Sequence, residues 1–112
     1  MLEWYRAHAT SGDVIRDTEE LCYALADELD SELTEAIRPP WNRMTVRDAF
    51  ERHAGGVVDA GDEERFYRTW AERVQPQLGV ERPVVITHWP ASMASLARLN
   101  EDGTADRFEA FV

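Results

Sequence analysis

The chain has 112 residues, enough for one domain with a modest core. Its 22 Asp and Glu stand against 12 basic residues, every one of them Arg. The resulting net charge of −10 repels phosphate backbones, makes the chain a poor nucleic-acid binder, and favours a cationic partner or substrate. One cysteine excludes an intrachain disulfide, no apolar run approaches the roughly 18 residues of a membrane span, and no signal peptide is recognised, so the sequence reads as cytoplasmic.

Residues 2–8 read as a strand, with Leu2, Trp4 and Arg6 on one face and Glu3 and Tyr5 on the other. Thr10-Ser11-Gly12-Asp13 is a turn with a capping-box pattern. It opens a long helix predicted over 13–37. Ile15, Leu21, Cys22, Leu25, Leu29, Leu33 and Ile37 form its apolar stripe, and Pro39-Pro40 ends it. A second capping box, Thr45 to Asp48, opens a helix over 45–54 that Gly55-Gly56 stops. Asp62 caps a third helix over 62–75, with Phe66, Trp70 and Val74 buried and Pro76 and Gly79 as terminators. The run Pro83 to Trp89 is a buried strand over 83–89, too apolar for an exposed edge. Two further strands are expected near 95–100 and 106–112, joined through the turn Glu101-Asp102-Gly103.

This order (a strand, three helices, three strands) predicts an α+β fold with an antiparallel sheet, in a single domain over 1–112. Gly55 to Gly61 is the one expected flexible joint. Both ends read as strands, and unpaired strand edges invite association. The expectation is therefore a piece from the middle of a larger sheet.

Generic catalytic motifs are absent. Gly55-Gly56 lacks a lysine and follows a helix, so it is no phosphate loop. His8, His53 and His88 lack metal-ligand spacing, and Cys22 sits on an apolar stripe as a small core residue. The acids Asp62-Glu63-Glu64 suit a helix start rather than a metal. Two stretches stand out. Glu3 and Tyr5, two residues apart on a strand, would place a carboxylate and a phenol about 7 Å apart, a cradle for an ammonium group. The same pair also suits an ordinary exposed strand face. The second stretch, Thr87 to Ala97, runs from a buried strand through Pro90 into small residues that permit close backbone approach.

These stretches carry a resemblance. Met1-Leu2-Glu3-Trp4-Tyr5-Arg6 resembles the end of motif 2 in class II aminoacyl-tRNA synthetases of the lysyl type. His88-Trp89-Pro90-Ala91-Ser92-Met93-Ala94-Ser95-Leu96-Ala97 and Asp106-Arg107-Phe108-Glu109 resemble the sheet leading to motif 3. Glu-Trp-Tyr-Arg with Pro-Ala-Ser and Ala-Ser-Leu-Ala looks like one branch, the elongation factor P (R)-beta-lysine ligases, truncated paralogues of lysyl-tRNA synthetase. Lysyl-tRNA synthetases themselves tend to have Ser-Pro-Leu-Ala where this chain has Ala94-Ser95-Leu96-Ala97.

The resemblance implies a partial class II catalytic core, lying between motifs 2 and 3 of a homodimeric enzyme. That enzyme uses ATP and magnesium to activate lysine or β-lysine as an aminoacyl-adenylate and transfers it to a lysine of elongation factor P. It implies substrate-binding roles for Tyr5 and its neighbour Glu3, and wall or sheet support from 88–97. The motif 2 arginine loop, the motif 3 arginine and the acidic metal-binding strand have no counterpart in these residues. The chain by itself is thus expected to be inactive, with few or no ligands for ATP or magnesium and no metal site. The alternatives are a lysyl-tRNA synthetase segment charging tRNA, a non-catalytic acidic binding module derived from this fold, and an unrelated small α+β protein that swaps end strands into a dimer.

Overall fold

The computed structural model describes residues 1–56 and 59–112, which divide into two compact units, Met1–Pro40 and Trp41–Val112. The expected joint at 55–61 includes positions 57 and 58, which lie outside the described residues.

The first unit is built on one helix, α1 (Ser11–Glu28). Thr10 caps it as its sequence predicts: the Thr10 hydroxyl accepts from Asp13 N–H, and the Asp13 carboxylate accepts from Thr10 N–H at 2.8 Å. Arg6 reaches Asp17 on this helix at 2.6 Å. The strand expected over 2–8 does not form. Residues 1–6 have no regular structure, and His8 turns the chain with φ 56°. Alternation alone does not make a strand; its backbone groups need a ladder partner, and among the described residues none pairs with this segment.

The long helix expected over 13–37 stops at Glu28, and turns fill the rest. Its last turn carries Asp27 and Glu28 and no basic residue, so the helix dipole disfavours extension. Asp30 then enters the left-handed region at φ 49°, and the Ser31 hydroxyl accepts from Leu33 N–H at 3.2 Å, a local turn that competes with helix. The predicted stripe is only partly buried. Ile15 and Ile37 are, but Leu25, Leu29 and Leu33 are 53%, 76% and 61% exposed.

The second unit holds a three-stranded mixed sheet in the order β1 (Asn42–Thr45), β2 (Val84–Thr87), β3 (Glu109–Phe111). The central strand β2 is the predicted apolar run, and Val84, Val85 and Ile86 are buried. Its neighbour β1 was not expected. It pairs parallel to β2, Asn42 opposite Val84 through Thr45 opposite Thr87. β3 pairs antiparallel, so the purely antiparallel sheet is corrected to a mixed one. The strand expected over 106–112 is real but only three residues long. The one expected over 95–100 is a loop that makes a single bridge, Leu99 to Ala105, among the described residues.

Helix α2 (Val46–Ala54) follows β1 directly, with Thr45 and Asp48 forming the predicted box and Gly55 ending it at φ 77°. Helix α3 (Glu63–Thr69) is capped by Asp62, whose carboxylate accepts from Arg65 N–H at 3.2 Å. The predicted helix continues to its expected end, but not as α-helix. A wider turn spans Trp70–Val74, closed by Gln75 N–H on the Trp70 carbonyl, and a 3₁₀ turn spans Gln75–Gln77. Pro76 supplies the reason: it has no N–H to donate, and its ring would collide with the carbonyl four residues back.

Phe66, Trp70 and Val74 are buried as their spacing predicts. They pack with Phe50, Ile86 and Trp89 into one core. Phe50 lies 4.8 Å from Phe66 and 5.8 Å from Trp70, centroid to centroid, and Trp70 lies 4.9 Å from Trp89. Each such side chain contributes about 1.5–3 kcal/mol by leaving water.

Candidate functional site

Glu3 and Tyr5 lie in the irregular segment that opens the first unit. Both are exposed, Tyr5 at 97%, and among the described residues neither makes a hydrogen bond. Their shared-face spacing rested on a strand that does not form, so the 7 Å separation is not a property of this segment. What remains is their chemistry: an open carboxylate and an open phenol two residues apart, beside Arg6, whose guanidinium is held by Asp17.

The stretch 88–97 belongs to the second unit and is a shaped turn. His88 reverses the chain at φ 55°, and its Nδ1 lies 2.9 Å from the Thr87 hydroxyl. A 3₁₀ turn covers Ala91–Met93, and Ser95 again takes positive φ, 54°. Arg107 holds this turn from below. One N–H donates to the Met93 carbonyl at 2.9 Å, the guanidinium lies 4.8 Å over the Trp89 ring, and it pairs with Glu109. Ala105 N–H closes on the Trp89 carbonyl at 2.7 Å. Across the next turn, the Thr104 hydroxyl and N–H hold the Asp102 carboxyl below its usual range, with His88 3.9 Å away adding a smaller effect. Ser92, Ser95 and Leu96 are left exposed on this scaffold.

A third feature escaped the sequence reading. In the second unit a cleft of about 510 Å³ is lined by residues that include Arg43, Arg52, Arg82, His53, Glu81 and Gly79. The cations come from β1, the end of α2 and the turn before β2. They form no run in the sequence, so no local pattern could have announced them.

Among the described residues, no group of three His, Cys, Asp or Glu side chains could hold a metal ion. Among the same residues, no helix is long and apolar enough to cross a membrane.

No protein-family model matches the chain. Curated relatives do. The Elongation factor P–(R)-beta-lysine ligase of Haemophilus influenzae (strain PittGG) is 25% identical over 97% of this chain and 38% of its own length. That of Histophilus somni (strain 2336) is 25% identical with the same coverage, and that of Sodalis glossinidius (strain morsitans) is 28% identical over 99% of this chain and 39% of its own length. The chain is similar to the elongation factor P lysine ligases. The similarity is consistent with a fragment of that family, as the Glu-Trp-Tyr-Arg and Pro-Ala-Ser stretches suggested. It spans about 38% of the length of the curated relatives it matches.

With coverage of 97–99%, the match takes in nearly everything between the two stretches that carried the resemblance, including the helical middle, where no motif had been recognised. The ligase chemistry named for those relatives belongs to chains more than twice as long as this one.

Proposed function

We propose that this chain is a segment of the catalytic core of an ATP-dependent ligase that activates lysine or β-lysine and transfers it to a lysine of elongation factor P. The observation that carries this reading is the near-complete coverage of the chain by ligases of that name. In this reading the whole enzyme is a class II synthetase-like homodimer. The substrate carboxylate displaces pyrophosphate from ATP, and the acceptor lysine amine then displaces AMP to form an amide.

Glu3 and Tyr5 receive the substrate ammonium. Glu3 supplies the opposite charge and Tyr5 a phenolic oxygen that accepts a hydrogen bond. Their exposure, and the lack of partners among the described residues, suit groups that receive a cation. The ordered turn at 88–97, braced by Arg107, supports the neighbouring sheet rather than reacting. Magnesium has no three-ligand set among the described residues. ATP and magnesium are therefore assigned to the remainder of the enzyme.

Two measurements test this. The 112 residues alone should support no lysine-dependent ATP–pyrophosphate exchange, and exchange by them would refute the division of labour. In an NMR titration of the ¹⁵N-labelled chain, (R)-β-lysine or lysine at millimolar concentration should shift the resonances around Glu3 and Tyr5. Norleucine, which lacks the side-chain ammonium, should shift them far less. Shifts that survive both Glu3→Gln and Tyr5→Phe would contradict the ammonium-cradle assignment.

A further inference from the structure

We propose that the leucine face of the first unit docks a short amphipathic helical segment of a partner protein, one whose apolar stripe is flanked by basic residues. This goes beyond the ligase reading and does not depend on it.

The first argument is exposure. Leu21 and Leu25 lie four residues apart on α1, and Leu29 continues the spacing at the C-cap, where its N–H donates to the Leu25 carbonyl at 3.1 Å. At a rise of about 1.5 Å per residue, the three form one stripe roughly 12 Å long. They are 37%, 53% and 76% exposed, and Leu33 in the following turns is 61% exposed. The buried side of α1 is a different one, carrying Ile15, Glu19 and Ala26. It lies about 100° further round the helix. Single exposed leucines are ordinary, but a contiguous row of them marks an interaction surface.

The second argument is order. The backbone beneath the row is pinned past the end of the helix. Ser31 N–H donates to the Ala26 carbonyl at 2.9 Å, and Ile37 N–H donates to the Leu33 carbonyl at 3.0 Å. Leu29 and Leu33 therefore sit on a fixed surface, and docking needs little further ordering of this chain.

The third argument is charge, and it identifies the occupant. Residues 17–37 hold eight acids and no basic residue. Asp17 and Glu35 are held by Arg6 and Arg38. Glu28, Asp30 and Glu32 flank Leu29 and Leu33, are exposed, and form no ion pair among the described residues. The C-terminal end of α1, where the helix dipole is negative, has acids in its last turn and no base. Lysines or arginines beside a partner's apolar stripe would meet both the carboxylates and that helix end. A second copy of this chain would bring acid against acid, and nucleic acid or an anionic lipid surface is repelled in the same way. A stripe two helical turns long suits a peptide segment rather than a large rigid interface, with a Kd on the order of 100 μM.

The test is fluorescence anisotropy of a labelled synthetic helix of about 14 leucines and lysines, the leucines at i, i+3, i+4 and i+7. It is titrated with the 112-residue chain. The expected result is saturable binding with a Kd on the order of 100 μM at low ionic strength, weakened at least about tenfold in 1 M salt, where charges are screened within about 3 Å. Leu25→Gln and Leu29→Gln should each weaken it about tenfold, as should Glu28→Gln combined with Glu32→Gln. Val112→Gln, at an exposed side chain of the second unit, should leave it unchanged. Circular dichroism identifies any variant that has lost its fold. Glutamine favours helix as well as a surface position allows, so the exposed Leu25 and Leu29 are mild sites for it. Four results would each overturn the proposal. They are no saturable binding up to about 1 mM, equal binding of the same peptide with glutamate for lysine, and binding indifferent to both leucine substitutions in folded chains. The fourth is a dimer of the chain in sedimentation that Leu29→Gln abolishes, which would make a second copy the occupant.

Discussion

Two glycines with nearly the same backbone angle separate strain from steric collision. Gly55 ends α2 at φ 77° and Gly79 turns the chain before β2 at φ 73°. An Ala at either position carries the left-handed penalty of about 1 kcal/mol. Around Gly55 nothing lies within 4 Å of the added Cβ, so that penalty is the whole effect. At Gly79 the Cβ would meet the carbonyl carbon and oxygen of Phe111, each at 2.9 Å, and Val112 N at 3.2 Å. These are backbone atoms of β3 and its end, and they cannot swing aside as a side chain would. Overpacking of this kind adds about 1–3 kcal/mol, so Gly79→Ala should cost about 2–4 kcal/mol in total. The assay is urea unfolding followed by tryptophan fluorescence, since Trp70 and Trp89 report on this core. With a urea slope near 1 kcal/mol/M for a unit of this size, the two variants should differ by about 1–3 M in midpoint. Equal midpoints would refute the close packing of the 79 turn against β3.

Phe50→Ala, at a side chain with no solvent exposure between Phe66 and Trp70, should destabilise the second unit by about 3–5 kcal/mol in the same assay. Arg107→Gln removes both the bond to the Met93 carbonyl and the contact over Trp89. It should cost about 1–2 kcal/mol and change the Trp89 emission. Asp48 should give the second unit an acid-sensitive element. Its hydrogen bonds with Thr45, through hydroxyl and then N–H, lower its pKa, with smaller help from Arg47 and His88. A carboxylate depressed in the folded state adds stability above its unfolded value, near pH 4, and that stability is lost as pH falls through the lower folded value. Stability measured from pH 7 downward should therefore fall below about pH 4, and less steeply in Asp48→Asn.

What could be read from the sequence was what is decided locally. The capping boxes at Thr10 and Thr45 involve residues three apart, and both formed as expected. The buried face Phe66, Trp70, Val74 and the apolar run Val84 to Ile86 also announced themselves, one by helical spacing and the other by continuous hydrophobicity. Non-local pairing decided the rest. Asn42-Arg43-Met44-Thr45 has no alternation, and it becomes a strand only because Val84–Thr87 offers a parallel ladder. Leu2 to His8 has the alternation but no ladder among the described residues, so it stays irregular. Leu25, Leu29 and Leu33 match the helical period but remain exposed, because periodicity marks a face without supplying its cover. For function, the Glu3–Tyr5 pair was visible as neighbouring residues, while the cleft cations at 43, 52 and 82 meet only after folding.

If these 112 residues are a core segment of an elongation factor P lysine ligase, as proposed, they should work in the place of that segment. The direct measurement is to graft them in place of the matching segment of the Haemophilus influenzae ligase and assay ATP–pyrophosphate exchange driven by (R)-β-lysine. The expected result is exchange by the graft, with a higher KM for β-lysine after Glu3→Gln. A folded graft without exchange, beside an active parent ligase, would contradict it.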